Sequence, residues 1–344
     1  MKKIYLSLIA FLSLLATNAQ DIHYSQFYNA PLLLNPALTG FTPGIARIGV
    51  NYRNQWFNSA GNTFGKPAFM TTAVGFDMPI AVKNDAVGVG LFIAADQAGA
   101  NTFSSVILQA SGSYIKTLGK KRNHRLSAGF QLGFTHVSVK SQNFQFANQF
   151  DQANEFNNNL AADENIAKNK IAYANLNLGL LWYGKFSERF GMFAGGSFYN
   201  VTKPKVNVLG DEKQELYWRM NIQASADAKI GMRYHLLPSL MFMKQGVSHQ
   251  LVTGLGLGID ITYDVAVTLG LYNRVNPHAK TNADAIIPYA GFEAKGFKLG
   301  VSYDVTLSNF KNTGKGVGAL ELSLGYTFKR KEYNLKNSLV CPRF

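Results

Sequence analysis

The sequence predicts an all-β fold, a transmembrane antiparallel outer-membrane β-barrel of about fourteen strands. Three observations predict it. The chain opens on an export-type segment, alternates with a period of two from about Ala46 to Lys329, and joins its strands by connections of alternating length.

Composition already separates the chain from an ordinary soluble domain. Of 344 residues only 16% are charged and 13% are aromatic, with 32 glycines. Soluble domains carry roughly 25% charge. The mean hydropathy of -0.04 is unremarkable and decides nothing alone. The formal charge is +14. A basic chain can bind nucleic acid, but no Lys/Arg-rich run lies on a helical pattern here. The densest cluster, Lys120, Lys121 and Arg122, reads as a solvated turn, so no nucleic-acid partner is expected.

At the start, Lys2 and Lys3 precede an apolar stretch from Ile4 to Leu15, and Thr17-Asn18-Ala19 supplies small residues for cleavage. Residues 1–19 therefore read as a secretory signal peptide. The apolar stretch is shorter than the roughly 20 residues a membrane-spanning helix needs. With no cysteine after the expected cleavage site, a lipid anchor is not expected either. Cys341 is the sole cysteine, so no intrachain disulfide can form.

The alternation is clearest in the last strand. Leu320, Leu322, Leu324, Tyr326 and Phe328 face one way, and Glu321, Ser323, Gly325 and Thr327 the other. The segments beginning at Val87, Leu126, Leu251 and Phe297 repeat the pattern. A helix would scatter such residues around its surface, whereas a strand collects them on one face. Runs of about ten residues suit a tilted strand crossing hydrocarbon. A soluble β-sandwich also alternates, but its outer face would carry many charges. Here the second face is mostly Gly, Ser, Thr, Asn and Gln, as expected of a small-residue or watery lumen. Leu132, Leu257 and Leu324 are assigned to lipid, and Gln131, Gly256 and Glu321 to the lumen.

Connections near 57–67, 140–169, 202–217 and 273–284 are moderate or long, and those near 184–189, 260–264 and 293–296 are short. Outer-membrane barrels pair long outer loops with short periplasmic turns, and an even strand number leaves both ends in the periplasm. Trp56, Trp182 and Trp218 are expected near strand ends. Residues 20–45 lack alternation and contain Pro31, Pro36 and Pro43. They read as an ordered segment near or inside the periplasmic mouth. Residues 330–344 read as a periplasmic tail. The loop at 140–169 carries Phe144, Phe146, Phe150 and Phe156 among amides. It suits either a partner-binding surface or a lid over the mouth.

No chemistry-bearing motif emerges. HExxH, GxxxxGK[ST], GxSxG and CxxC are absent, and the run Gly254-Leu255-Gly256-Leu257-Gly258 lies within strand alternation. The six histidines are scattered, and Asp260, Asp264, Asp304 and Glu321 are lumen or rim carboxylates without an assembled partner set. Catalytic, cofactor and metal sites are therefore not expected. A membrane hydrolase would need a clustered nucleophile, His and carboxylate.

Several strings resemble one family. Ser25-Gln26-Phe27, then Pro31-Leu32-Leu33-Leu34-Asn35-Pro36-Ala37-Leu38-Thr39-Gly40, resembles the opening of the PorP/SprF family of Bacteroidota. Leu237-Pro238-Ser239, Ser302-Tyr303-Asp304 with Ser308, and the closing Cys341-Pro342-Arg343-Phe344 resemble its later elements, in order. Two departures stand out. Asn200 sits where many members have His, and Gly318-Ala319-Leu320-Glu321 keeps only the Gly and Glu of its element. The resemblance implies a 14-stranded outer-membrane barrel of the type IX secretion system. It also implies partners: a secreted cargo with a type IX C-terminal domain, such as a gliding adhesin, and other secretion-system components. Outer-membrane lipid is the surrounding partner. Transport of small hydrophobic or polar solutes is the competing reading.

Overall fold

In the computed structural model the described residues are 21–56, 68–99, 102–140, 169–206, 215–276, 283–307 and 318–329. The signal segment, the tail with Cys341, Ser308, and the loop carrying Phe144, Phe146, Phe150 and Phe156 lie outside them.

Fourteen antiparallel strands close into one barrel. The first seven are β1 (Ala46–Gln55), β2 (Phe69–Val82), β3 (Asp85–Ala98), β4 (Phe103–Leu118), β5 (His124–Val139), β6 (Lys170–Ser187) and β7 (Phe190–Tyr199). The rest are β8 (Arg219–Ile230), β9 (Tyr234–Gln245), β10 (Ser248–Asp260), β11 (Val265–Val275), β12 (Ala283–Ala294), β13 (Phe297–Thr306) and β14 (Gly318–Phe328). Each strand pairs with its sequence neighbours, and β1 closes on β14 from Ala46↔Phe328 to Gln55↔Ala319. Closure leaves no strand edge with unpaired N–H and C=O groups facing lipid.

The two faces follow the predicted alternation. Leu132, Leu257 and Leu324 point outward and are exposed, while Gln131, Gly256 and Glu321 point inward and are buried. The short connections, at 83–84, 119–123, 188–189, 231–233, 261–264 and 295–296, share the end where β1 begins and β14 ends. In outer-membrane barrels the end with the short turns is the periplasmic one. Lys295 and Gly296 both have positive φ (50° and 96°), the two-residue hairpin geometry that matches strand twist. The outer connections are longer, except at 99–102 and 246–247, which are as tight as the periplasmic turns. Trp56 and Trp218 flank strand ends as expected, whereas Trp182 lies within β6.

Of the two expected interiors, small-residue or watery, the structure has a small-residue wall around a filled lumen. The segment from Asp21 onward threads through it as a plug, so its place is the lumen itself and not merely the periplasmic mouth. Asp21 lies at the outer end, where its carboxylate accepts from Asn200 Nδ2 (2.8 Å) and its N–H donates to Gln245 Oε1 (2.8 Å). The chain then descends to Ile45, whose N–H donates to Phe328 at the periplasmic end. The prolines explain why this stretch is not a strand. Pro31 starts a four-residue helix (Pro31–Leu34) and Pro36 a 3-10 turn (Pro36–Leu38), positions where a missing N–H costs nothing.

Plug and wall form a packed core. Phe27, Leu34, Leu38 and Phe41 pack with the inward Ile115, Leu181, Phe193 and Met241. A second cluster joins Tyr24, Leu32 and Leu33 to Phe92, Ala73 and Ala94. The ring of Tyr28 stacks on Tyr272 at 5.4 Å. Two inward glycines make the fit possible. A Cβ on Gly88 would stand 2.0 Å from the Thr39 carbonyl oxygen, and one on Gly129 would stand 2.4 Å from the Pro36 carbonyl. Backbone approaches this close admit only glycine.

Candidate functional site

The plug's polar backbone must be satisfied inside a barrel surrounded by lipid, because buried unpaired groups cost about 1–3 kcal/mol each. The wall's small polar side chains supply the partners. Ser127 Oγ donates to the Ala37 carbonyl (2.7 Å), Ser113 Oγ to the Thr39 carbonyl (2.6 Å) and Gln131 Nε2 to the Leu32 carbonyl (3.2 Å). Ser197 and Asn221 both donate to the Leu34 carbonyl. Asn35 caps the 3-10 turn by accepting from the Ala37 N–H, while its amide donates to the Leu180 and Gly196 carbonyls across the lumen. At the periplasmic end Gly40 N–H donates to Asp77 Oδ2 (2.8 Å), and Arg47 holds the same carboxylate.

The densest cluster lies in the outer half. Glu321 on β14 receives the backbone N–H of Ser25 on one oxygen (2.7 Å) and that of Gln26 on the other (2.8 Å). Arg53, its cross-strand neighbour on β1, bridges Glu321 and Asp304 of β13. Arg274 of β11 joins from the far side, with Nη1 on Asp304 (2.7 Å) and Nε on Asp284 (2.6 Å). The Ser25 hydroxyl sits at the centre. It donates to Asp304 Oδ2 (2.9 Å) and accepts from Arg53 and Arg274. Gln26 reaches the Ser302 hydroxyl and the Glu321 carbonyl through Nε2, and accepts from Ser323.

Two guanidinium groups thus face three carboxylates around two plug residues. Ser25, Gln26, Arg53, Asp304 and Glu321 are all buried. In such an interior each charge is tolerable only because it is paired and hydrogen-bonded. Every donor named here is spent on another member of the cluster, so the arrangement holds a segment in place rather than activating a nucleophile.

The cluster unites strings far apart in sequence. Ser25-Gln26 from the opening, Ser302 and Asp304 from the S-Y-D element, and Glu321 from the departed glycine–glutamate element meet in one site. Asn35, from the N-P-A element, holds the plug lower down. Asn200 also has a role as asparagine, bridging Asn175 and Asp21 at the outer end. Of the other carboxylates singled out in the sequence, Asp260 and Asp264 are not in this cluster. They lie at the periplasmic rim, where Asp260 meets His235 and Asp264 meets Lys329. Arg53 and Arg274 were not foreseen. The signal available was a lone arginine in an inward position of its strand.

A sequence profile described as type IX secretion system membrane protein PorP/SprF matches residues 16–326. No curated protein sequence matches the chain. Among solved structures, the Pseudomonas putida toluene transporter TodX aligns with a TM-score of 0.54 at 10% identity, covering 88% of this chain and 94% of its own. The CymD monoaromatic hydrocarbon channel aligns with a TM-score of 0.51 at 11% identity, covering 88% and 93%. At such identities the likeness is one of fold, that of outer-membrane barrels. With the profile spanning nearly the whole described barrel and its plug, this chain belongs to the PorP/SprF family of type IX secretion system membrane proteins.

Proposed function

We propose that the chain supports export or cell-surface attachment of one specific large cargo, of gliding-adhesin type, through protein–protein contacts at its outer end. The observation that carries this reading is the filled lumen. A barrel packed by its own N-terminal segment and locked by a buried ionic cluster offers its outer rim and loops, not its bore, for specific activity. Family membership supports the secretion context, with other secretion-system components as partners. A cargo carrying a type IX C-terminal domain fits the same context.

The loop at 140–169, with Phe144, Phe146, Phe150 and Phe156, is the candidate contact surface. It is far longer than a turn needs, and such loops in compact proteins are usually functional or disordered. Its amides and phenylalanines offer adaptable contacts without net charge rings of the kind ion channels use. Shortening the loop to a tight turn is expected to abolish surface display of the cargo while the barrel still folds and the membrane stays equally tight. Undiminished display with new solute leakage would make the loop a plug instead. The competing reading, small-solute transport, draws on TodX and CymD being hydrocarbon channels, but that likeness carries the fold alone.

A further inference from the structure

The chain's surplus positive charge is placed unevenly round the periplasmic rim. Three neighbouring turns, 83–84, 119–123 and 188–189, carry Lys83, Lys120, Lys121, Arg122 and Arg189, all exposed. None of these five has a carboxylate at ion-pair distance among the described residues. The two acids in this arc are already engaged, Asp85 by Lys116 (2.9 Å) and Glu188 by Lys185 (2.7 Å). Further round, the three remaining turns carry only two bases between them, the exposed Arg233 and Lys295; the turn at 261–264 carries none, and Lys329 there is paired with Asp264.

Directly above the basic arc, on the lipid face, lies a cluster of aromatic rings. Phe186 packs on Trp182 (5.9 Å), Phe190 (5.7 Å) and His124 (5.7 Å). Tyr114 and Lys116 point outward on β4 at the same end and share Asp85. Outward aromatics mark the depth of the membrane interface, and long basic side chains at that depth reach lipid phosphates.

We propose that this arc, over the turns joining β2–β3, β4–β5 and β6–β7, is a binding surface for anionic phospholipid headgroups of the periplasmic leaflet. Two features select lipid over an acidic protein. The cations continue the lipid-facing aromatic band, and Phe190, next to Arg189, is exposed on the outward face rather than below the barrel. The surface would orient the barrel and give it a preferred lipid neighbourhood on one side.

The test places the full-length barrel in nanodiscs of phosphatidylethanolamine with a minority of phosphatidylglycerol, and counts retained lipids by native mass spectrometry. The variant is Lys120→Gln, Lys121→Gln, Arg122→Asn. Asparagine is chosen because Arg122 has a φ of 55°, a region asparagine tolerates. Wild type is expected to retain phosphatidylglycerol several-fold above its bulk share, with the enrichment falling as salt rises. The variant, folded by heat-modifiability on a gel, should retain close to the bulk share. Retention of phosphatidylglycerol by wild type at no more than its bulk share would overturn the proposal. So would undiminished enrichment in the variant.

Discussion

Replacing Glu321 by alanine is expected to release the upper plug while leaving the barrel closed. The substitution strands the N–H groups of Ser25 and Gln26 and one arm of Arg53 at the same moment. Each unsatisfied buried donor costs about 1–3 kcal/mol, and breaking one side of a buried ion pair about 3–5 kcal/mol. A loss of about 3–5 kcal/mol in plug docking corresponds to amide exchange at Ser25 and Gln26 roughly a hundred to several thousand times faster. The strand amides of β13 and β14 should exchange as before, because their ladder does not pass through the side chain. Glu321→Gln retains acceptor capacity but loses the charge, so its effect should be smaller. Hydrogen–deuterium exchange with mass spectrometry reads both. Unchanged exchange at Ser25 in the alanine variant would mean that the cluster does not hold the plug.

Adjacent positions on β14 are expected to fail in different ways. Leu324 points into lipid near the middle of the strand, opposite Val50 and Leu299. Arginine there should destabilise the barrel by about 2–4 kcal/mol, the cost of a charge near the bilayer midplane. Ser323 points inward. Alternation alone suggests that arginine would be tolerated there, in a wet lumen. The plug reverses that expectation, since the Ser323 hydroxyl accepts from Asn29 and donates to Gln26 in a filled space. Ser323→Arg should therefore displace the plug, with fast exchange in residues 21–30, but leave the barrel's refolding midpoint nearly unchanged. A lipid-refolding titration in which both variants lose equal barrel stability would contradict the assigned faces.

These contrasts mark how far the sequence could be read. The outer surface was legible because its environment is uniform. Lipid accepts only apolar groups, so a period of two names the outward residues one by one, as at Leu126, Phe130 and Leu132. The inner surface has no such uniform rule. Phe92 falls in line with Gly88 and Gly90, yet it is core because Leu32 and Leu33 come to meet it. The prolines at 31 and 36 announced that the opening segment is no strand, but not that it enters the lumen. That depends on partners nearly the whole chain away, such as Ser25 and Glu321. Arg53 and Arg274 escaped notice for the same reason, since a single inward charge resembles a solvated wall residue until its counter-charges converge. The strings that carry the family resemblance contain Ser25, Gln26, Asp304 and Glu321, but nothing in them joins the four into a site; the closed barrel does.

The glycines repeat the lesson. On the page they thin the inner face. In the structure Gly88 and Gly129 mark where the plug backbone touches the wall. Gly254 belongs to a different contact, because a Cβ there would strike the Tyr272 ring. One residue type in one periodic position thus serves two purposes, and the sequence alone does not separate them.

The central claim is that the barrel is closed by its own N-terminal segment. Conductance across a planar lipid bilayer tests it most directly, comparing the intact chain with one lacking residues 21–44. The intact protein is expected to insert without opening steps, because apolar clusters and hydrogen bonds join the plug to the wall from the outer end to the periplasmic end. The shortened chain should show large, stable openings through the emptied bore. Steady openings of equal size in both proteins would contradict the account.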